Sequence, residues 1–329
     1  MSTYQPPFVI TPLILNQVIE VGELMGHWAA MAGRTSPLLR KENRIRTIQA
    51  SLAIEHNSLT TEQVTALMEG KRILAPAKDI QEVRNAILAY EKMSEWKSEK
   101  LSDLLQAHRV LMLGLVDNPG QLRTGNVGVY REKQLIHMAP PASQVFRLMN
   151  DLLGWLKTTE LHPLIAGAVF HYEFEFIHPF ADGNGRMGRL WQTLILREWR
   201  SELAWLPVET LIHYQQDRYY QVLGQCDRQS SCTPFIEFIL ENIISALQEG
   251  LGKSSALSEE MSEEMSPDLL DIEKRILQIL SNHPGRSAKS IADECELSAR
   301  TVERYLKALQ LKGKLQRVGA TKGGMWRVI

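Results

Sequence analysis

The chain has 329 residues, of which 44% are hydrophobic and 23% are charged, the usual balance of a globular protein. This composition excludes a wholly disordered or fibrous chain, and the length predicts about two domains. Lysine and arginine number 37 against 38 aspartate and glutamate, so any affinity for nucleic acid has to come from one region and not from the whole molecule.

Helical periodicity covers most of the chain and predicts a mainly α fold. Residues 79–82, Asp-Ile-Gln-Glu, have the pattern of a capping box that opens a helix. Further helices are predicted over residues 101–115, 143–156 and 233–247. Residues 164–177 are apolar on nearly every side, which is typical of a helix at the centre of a bundle, and a histidine within it, His171, is expected to be a hydrogen-bonded core residue.

Strand signals are few, and a change of composition marks a domain boundary. Residues 126–137 predict one short hairpin, which has to lie against the helical body because an isolated hairpin is only marginally stable in water. Residues 250–266 are polar and acidic and predict a flexible linker. The linker separates the main body from a second unit (267–329), and we expect the main body to consist of an N-terminal helical region (1–95) and a helical core (96–249).

The second unit has the element order of a winged helix-turn-helix domain. Three amphipathic helices are followed by two strands, which a glycine-rich wing joins. From Ser281 to the end, ten basic residues stand against four acidic ones. Arg300, Arg304 and Lys307 share one face of the predicted recognition helix and are the candidate DNA contacts. The other interpretation is a module for dimerisation or for packing on the main body, and the sequence leaves both open.

The most informative segment follows the predicted buried helix and reads His178-Pro179-Phe180-Ala181-Asp182-Gly183-Asn184-Gly185-Arg186-Met187-Gly188-Arg189. Its second half opens an amphipathic helix, and a helix N-terminus attracts anions through unpaired N–H groups and the helix dipole. Gly183 and Gly185 permit a close approach of the backbone, so that N–H groups can surround phosphate oxygens.

The polar side chains of this segment suit a nucleotide. Asn184 is a neutral hydrogen-bond donor, and Arg186 and Arg189 can form paired hydrogen bonds with further phosphate oxygens. Asp182 is the kind of oxygen ligand that Mg²⁺ on a polyphosphate prefers. His178 is the candidate general base for a hydroxyl group.

Three other interpretations compete with a nucleotide site. An EF-hand loop beginning at Asp182 would have Arg186, Met187 and Thr193 at positions where calcium binding does not tolerate them. A Walker loop needs Gly-Lys-Ser or Gly-Lys-Thr, which this segment lacks. A simple structural turn accounts for Asp-Gly-Asn-Gly alone, but not for the added histidine, phenylalanine and two arginines at fixed offsets.

The segment resembles the motif of the Fic family, H-x-F-x-D/E-G-N-G-R-x-x-R, at every fixed position. The resemblance extends over roughly residues 44–247 and implies a Fic-type helical bundle that transfers AMP from ATP to a hydroxyl side chain of a target protein. It implies that His178 deprotonates the acceptor, that Asp182 holds Mg²⁺ and that residues 183–189 bind the phosphates. Glycine at position 185, in place of a lysine, favours nucleotide transfer over the kinase-like variant of the family.

The resemblance also assigns roles outside the motif. A segment similar to the family's β-hairpin flap, which aligns the target chain by main-chain pairing, contains Leu135, Ile136, His137 and Met138. Residues 217–220 resemble a segment with a nucleotide-contacting tyrosine pair, and Asp227 stands where relatives have an asparagine near the ribose. The implied nucleotide-binding residues are Gly183, Asn184, Gly185, Arg186, Met187, Gly188, Arg189, Tyr219, Tyr220 and Asp227.

Residues 51–55, Ser-Leu-Ala-Ile-Glu, resemble the family's inhibitory helix, S/T-x-x-x-E-G/N, within about residues 44–57. Ser51 and Glu55 share one helix face. The resemblance implies that Glu55 pairs with Arg189 and denies this arginine to the γ-phosphate of ATP. The sequence departs from the pattern at His56, where glycine is usual, and Asn57 is expected to supply the left-handed helix end one residue later.

The sequence therefore predicts an autoinhibited protein adenylyltransferase that uses ATP and Mg²⁺ and modifies a target protein or itself. Three alternatives stay open: a nucleotide-sensing DNA-binding regulator, removal of AMP from a target, and another donor such as UTP or CDP-choline. An odd number of cysteines and an N-terminus without a signal-peptide pattern predict a cytoplasmic protein without a membrane segment. The target and a homodimer are left open.

Overall fold

The structure is a computed structural model and describes residues 4–32, 37–131, 134–265, 267–295, 297, 299–311, 314–318 and 325–328. The chain forms two compact units, Met1–Gly252 and Lys253–Ile329. Among the described residues, no helix is both long enough and apolar enough to cross a membrane. The mainly helical fold that the sequence predicts is confirmed.

The first unit is a bundle of helices that carries one hairpin. Its helices are α1 (Pro12–Ala32), α2 (Pro37–Ala53), α3 (Thr61–Met68), α4 (Ala77–Lys92), α5 (Leu101–Met112), α6 (Ala142–Thr158), α7 (Pro163–Ile177), α8 (Asn184–Trp199), α9 (Val208–Tyr214), α10 (Gln216–Gln229) and the first part of α11 (Thr233–Met265), which continues past Gly252 into the second unit. Short 3₁₀ turns, Met93–Glu95 and Ser201–Trp205, follow α4 and α8.

The core of this unit is built around α7. Nearly all of α7 is buried, including Phe170, Phe174 and Ile177, and its main partner is α8. An apolar surface on every side leaves a helix no face for solvent, so neighbouring helices have to enclose it. The predicted central helix is therefore confirmed, and it fixes the loop that joins α7 to α8 in the middle of the bundle.

The predicted hairpin is also confirmed. Strands β1 (Gly128–Arg131) and β2 (Gln134–Met138) pair antiparallel between α5 and α6, with an irregularity after Val129 that leaves Ile136 between two paired residues. Met138, at the end of β2, is 61% exposed. The side chains of Leu135 and Ile136 lie outside the described part of the chain. We use the name flap for this hairpin, β1 and β2.

The start of α4 differs from the predicted capping box. The helix begins at Ala77, directly after Pro76, and Asp79 lies inside its first turn. The Asp79 carboxylate instead accepts hydrogen bonds from the backbone N–H and the hydroxyl of Ser58. A proline can precede the first turn without leaving an unsatisfied donor, so it competes with aspartate as the starting residue.

The stretch predicted as a flexible linker is helical as far as the structure describes it. Helix α11 continues through residues 250–265 and ends at Met265. Alanine, leucine, glutamate and methionine, which recur in this stretch, are strong helix formers, so a polar and acidic composition does not by itself indicate a coil.

The second unit has the winged helix-turn-helix architecture that the sequence predicts. Its elements are α12 (Pro267–Asn282), α13 (Ala288–Cys295), α14 (Ala299–Leu311), β3 (Leu315–Val318) and β4 (Met325–Val328). The strands pair antiparallel, and a small core forms around Ile276, Ile291 and Leu309. The predicted wing, residues 319–324, lies outside the described residues.

Candidate active site

The loop between α7 and α8 carries the candidate motif, and residues in left-handed conformations lie near both of its ends. His178 ends α7 with φ 50° and ψ 62°, and Gly183 precedes α8 with φ 83°. A Cβ atom at Gly183 would lie 2.6 Å from the Sδ atom of Met112, so this close approach requires glycine. The loop thereby joins His178 to the first turn of α8 within one short, fixed segment.

Side chains of the loop and of α5 hold this backbone in place. The Asn184 amide accepts from the N–H of Phe180 and donates to its carbonyl, both at 2.9 Å. His108 stacks on Phe180, and its Nδ1 accepts from the N–H of Gly120, so that Nε2 carries the proton and donates to the carbonyl of Asp182 at 3.0 Å. The sequence predicts that Asn184 contacts phosphate, whereas the structure engages both of its polar atoms within the loop.

His178 lines a pocket between α7, α10 and the flap. Other residues lining this pocket are His137, Glu175, Tyr220 and Asp227. Burial lowers the pKa of His178 to about 4, and the carbonyl of Glu175 opposes this shift. Among the described residues, Nδ1 of His178 has no hydrogen-bond partner in ordinary geometry. The imidazole is therefore neutral at physiological pH, and a neutral imidazole has one nitrogen that can accept a proton.

His137 connects the flap to the helices that line the pocket. Its Nδ1 lies 2.8 Å from Asp227 Oδ2, and its Nε2 lies 2.8 Å from the carbonyl oxygen of Phe176. Burial acts against protonation, but the hydrogen bonds to these two acceptors raise the pKa of His137 overall. Asp227 also accepts from the hydroxyl of Tyr172 at 2.8 Å. Its carboxylate is thus engaged by protein groups on both oxygens.

Three residues of the implied nucleotide-binding set lie in the core and do not line the pocket. Met187 is fully buried, and a Cβ atom at Gly188 would lie 2.6 Å from Oε1 of Glu175. Tyr219 is 2% exposed, and its hydroxyl lies 3.1 Å from Nε2 of His171. The prediction of His171 as a core histidine is confirmed, and burial lowers its pKa to about 3.

Arg189 is held by the helix that resembles the inhibitory helix. Its Nη2 donates to Glu55 Oε1 at 2.8 Å and to the Ser51 carbonyl at 2.9 Å, and its Nε donates to the Ser51 hydroxyl at 3.0 Å. Only 1% of the Arg189 side chain is exposed, against 32% for Glu55. Burial opposes the positive charge, but the Glu55 carboxylate raises the pKa of Arg189 overall. The pair that the resemblance implies is formed.

The Glu55 carboxylate also lies against the first turn of α8. A Cβ atom at Gly185 would lie 2.5 Å from Glu55 Oε1 and 3.1 Å from Arg189 Nη1. Glycine at this position leaves room for an anionic group over the helix N-terminus, where the helix dipole and free N–H groups favour negative charge.

The end of α2 differs from the sequence prediction. His56 itself adopts the left-handed conformation, with φ 66°, and Asn57 does not. The N–H of Asn57 bonds to the carbonyl of Leu52 and that of His56 to the carbonyl of Ala53, which is the Schellman pattern of a helix end. Histidine therefore occupies the position where glycine is usual, without a shift of the helix end by one residue.

Arg186 is engaged by two acidic residues. Its Nη1 lies 3.2 Å from Glu82 Oε1 and its Nη2 lies 3.4 Å from Asp182 Oδ1. The other oxygen of Glu82 accepts from Asn57 Nδ2 at 2.8 Å. Glu82, which the motif does not identify, therefore links the end of the α2 segment to the first arginine of the motif.

Comparison with known proteins agrees with this geometry. The Fic/DOC family matches residues 98–196, and a winged helix-turn-helix DNA-binding family matches residues 269–316. The crystal structure of a Fic family protein from Desulfovibrio desulfuricans G20 is 46% identical, covers 99% of this chain and 98% of that chain, and has a TM-score of 0.75. This chain belongs to the Fic family.

Curated relatives of this Fic protein match it over a smaller share of their own length. The Nematostella vectensis protein named protein adenylyltransferase Fic is 30% identical, and the match covers 60% of this chain and 47% of that relative. The Caenorhabditis elegans protein adenylyltransferase fic-1 is 28% identical and covers 67% of this chain and 44% of the relative. The Fic chain described here thus spans about half the length of the curated relatives it matches.

The Fic site contains a buried carboxyl group that the motif does not reveal. The side chain of Glu175 is 13% exposed, and its Oε1 has no hydrogen-bond partner among the described residues. Burial raises the pKa of Glu175 to about 7, with Arg189 opposing the shift and Glu55 adding to it. The available signal is an acidic residue within a mostly apolar helix, one turn before His178, because buried glutamate is rare.

Asp182 is the residue of this Fic loop that could hold a metal ion. Its side chain is 59% exposed, and its Oδ1 accepts from the N–H of Gly183 at 2.6 Å. Within the described ranges, no group of three or more histidine, cysteine, aspartate or glutamate side chains could enclose a metal. A single exposed carboxylate fits Mg²⁺, which is commonly bound by one or two carboxylates together with substrate phosphates and water.

The predicted DNA contacts of the Fic chain are only partly described. Lys307 is exposed on α14, whereas the side chains of Arg300 and Arg304 lie outside the described part of the chain. A role for these three residues stays a prediction.

Proposed function

We propose that this Fic protein is a protein adenylyltransferase, which transfers AMP from ATP to a serine, threonine or tyrosine hydroxyl of a target protein. The observation that carries the proposal is a neutral histidine, His178, which lines a pocket at the loop before α8. On α8 itself, Arg189 is held by the Glu55 carboxylate, which follows α2. The names of the curated relatives support the same activity.

The donor would bind at the N-terminus of α8. The backbone N–H groups of Asn184 and Gly185 and the helix dipole favour phosphate oxygens there, and the absence of a Cβ at Gly185 leaves space for them. Mg²⁺ at Asp182 would neutralise part of the phosphate charge. Arg189 would bind the far phosphate through its guanidinium group once Glu55 no longer occupies it.

The reaction is an in-line displacement at the α-phosphorus. The acceptor oxygen forms a bond to phosphorus, the bond from phosphorus to the bridging oxygen of pyrophosphate breaks, and pyrophosphate leaves with the electron pair. The hydroxyl proton passes to the neutral imidazole of His178. The negative charge of a bound donor raises the pKa of this imidazole from its low value in the free protein, which makes it a stronger base.

Glu55 would keep the enzyme in a low-activity state. Its carboxylate accepts a hydrogen bond from Arg189 and fills the space above Gly185. A phosphate of the donor would otherwise bind at this position. Since two anions cannot share this position without strong repulsion, ATP in a productive orientation requires Glu55 to leave.

The test uses the purified full chain, Mg²⁺ and ATP labelled on the α-phosphate, with a mixture of proteins as acceptors. We expect covalent label on the chain or on a partner, a loss of label with His178→Ala, and normal labelling with the control His283→Ala in the second unit. ATP labelled on the γ-phosphate should leave no label, because pyrophosphate departs. Absence of label from the chain and from its Glu55→Gly variant, although both bind ATP, would contradict the proposal.

A second function is favoured by the match of residues 269–316 to a winged helix-turn-helix DNA-binding family. We propose that the second unit binds duplex DNA through Arg300, Arg304 and Lys307. Binding should weaken with salt, and replacing all three residues by alanine should lower the slope of log affinity against log salt by about 3. A control variant, Lys97→Ala in the first unit, should leave the slope unchanged. Equal slopes for the triple variant and the parent would contradict this assignment.

A further inference from the structure

Arg123 lies below the flap and contacts three successive carbonyl groups around His178. Its Nε donates to the carbonyl of His178 at 2.7 Å, and its Nη2 donates to that of Ile177 at 3.2 Å. Its own backbone N–H donates to the carbonyl of Pro179 at 2.9 Å. One residue outside the motif therefore fixes the backbone before, at and after the candidate base.

The same guanidinium group also contacts the backbone just before and just after the flap. Its Nη1 donates to the carbonyl of Gly125, ahead of β1, at 2.9 Å. Its Nη2 donates to the carbonyl of Pro140, after β2, at 2.5 Å. Arg123 is only 6% exposed, and every acceptor in these contacts is a neutral carbonyl. The position therefore needs several donors in a fixed planar arrangement, which arginine has and lysine does not.

The conformation of His178 explains why such an anchor is needed. Its backbone is left-handed, with φ 50° and ψ 62°. This conformation is unfavourable for a residue other than glycine, so it persists only where the surroundings stabilise it. Hydrogen bonds from Arg123 to the carbonyls on both sides of the His178 Cα atom provide that stabilisation.

We infer that Arg123 is a positioning residue that sets the imidazole of His178 relative to the flap. The inference rests on the proposed function, in which the flap aligns the target chain and His178 accepts its proton. The guanidinium group of Arg123 thereby fixes the position of His178, which accepts the proton, relative to the flap, which places the acceptor hydroxyl. None of these contacts involves a residue of the donor site on α8, so we expect the affinity for ATP to change less than the rate of transfer.

The decisive variant is Arg123→Lys, which keeps the positive charge and removes the fork of donors. In the full chain carrying Glu55→Gly, we expect Arg123→Lys to lower kcat for AMP transfer by about 10–100-fold, because one or two hydrogen bonds to positioned groups are lost. The KM for ATP should change by less than about threefold. Arg147→Lys on the exposed face of α6 is the control for the exchange itself and should behave as the parent. Guanidinium ion should partly restore the rate of Arg123→Ala.

A second measurement does not depend on activity. The pKa of His178, which burial holds at about 4, is followed by NMR titration of the histidine rings and assigned by its loss in His178→Ala. Arg123→Lys should move this pKa upward by at least about one unit, because a loosened ring gains solvent and the charge next to it is kept. If the chain carrying Glu55→Gly alone is inactive, the proposed function is refuted. The titration of His178 then decides by itself whether Arg123 positions this histidine. A folded Arg123→Lys variant with an unchanged His178 pKa overturns the inference, and so does a fall in kcat that is matched by an equal loss of ATP affinity.

Discussion

Replacing Glu55 by glycine should activate the enzyme by an amount that the structure allows to be worked out. The Glu55 carboxylate accepts one charge-assisted hydrogen bond from Arg189 at 2.8 Å. Such a bond contributes about 1.5–3 kcal/mol, and the 32% exposure of Glu55 places the value toward the lower half of that range. About 2 kcal/mol corresponds to a factor of about 30 in the population of the active state.

The assay is the initial rate of AMP incorporation, with ATP affinity measured in parallel by calorimetry. Glu55→Gln keeps the shape and a neutral hydrogen bond, so its rate should lie between those of the parent and of Glu55→Gly. Glu42→Gly introduces glycine at an exposed position within α2, the helix that Glu55 follows, and is the control for weakening α2. Equal activation by Glu42→Gly and Glu55→Gly would refute the reasoning, since the ion pair would then have no part in the effect.

Three further changes have expected outcomes that follow from single positions. His56→Gly removes a left-handed histidine and should raise the melting temperature by about 2–4 °C, the shift that about 1 kcal/mol produces; a lower melting temperature in thermal unfolding would contradict the role of φ 66°. Glu175→Gln should stabilise the chain at pH 8 by up to about 3 kcal/mol and have no effect near pH 4. Burial raises the pKa of Glu175 to about 7, so the penalty of ionising this carboxyl group appears only as the pH rises from the pKa of the unfolded chain toward 7. A difference of equal size at both pH values in denaturant titrations would show another cause. Gly183→Ala should cost about 2–4 kcal/mol, since φ is 83° and the new Cβ would lie 2.6 Å from Met112 Sδ. Measured in a Met112→Ala background, which lacks the steric conflict, the cost of Gly183→Ala should fall but not vanish; a cost of zero in that background would mean that the backbone conformation is unstrained.

Sequence periodicity predicted the elements on which the site depends. The apolar surface of α7 on every side predicts its central position, and the glycines of the loop predict its tight turn before α8. Both signals are local, and both follow from covalent chemistry and burial alone.

The direction in which loop side chains face could not be predicted in the same way. Asn184 fills a fixed position of the motif and Met187 a variable one beside it, yet the first is bonded to Phe180 and the second is buried in the core. Tyr219 and Tyr220 are adjacent, and only the latter lines the pocket. These outcomes depend on contacts between distant segments, which a motif does not contain.

Errors at helix ends have a similar origin. Residues 250–265 are helical although their composition suggested a coil, because the same residues that are polar are also strong helix formers. The start of α4 was assigned to Asp79 because the capping pattern is present, whereas the carboxylate bonds to Ser58 in another segment. A cap and a tertiary contact use the same atoms, so the sequence alone does not distinguish them.

The hold of Ser51 on Arg189 has a consequence that reaches past inhibition. The hydroxyl and carbonyl oxygens of Ser51 accept hydrogen bonds from the Arg189 guanidinium group, and neither contact involves Glu55. If the Glu55 carboxylate moves away, Ser51 still holds the Arg189 side chain in place. The conformational entropy of this side chain is then already lost before a ligand binds. In the proposed function, the segment that inhibits the enzyme would therefore also keep Arg189 oriented for the phosphate of the donor.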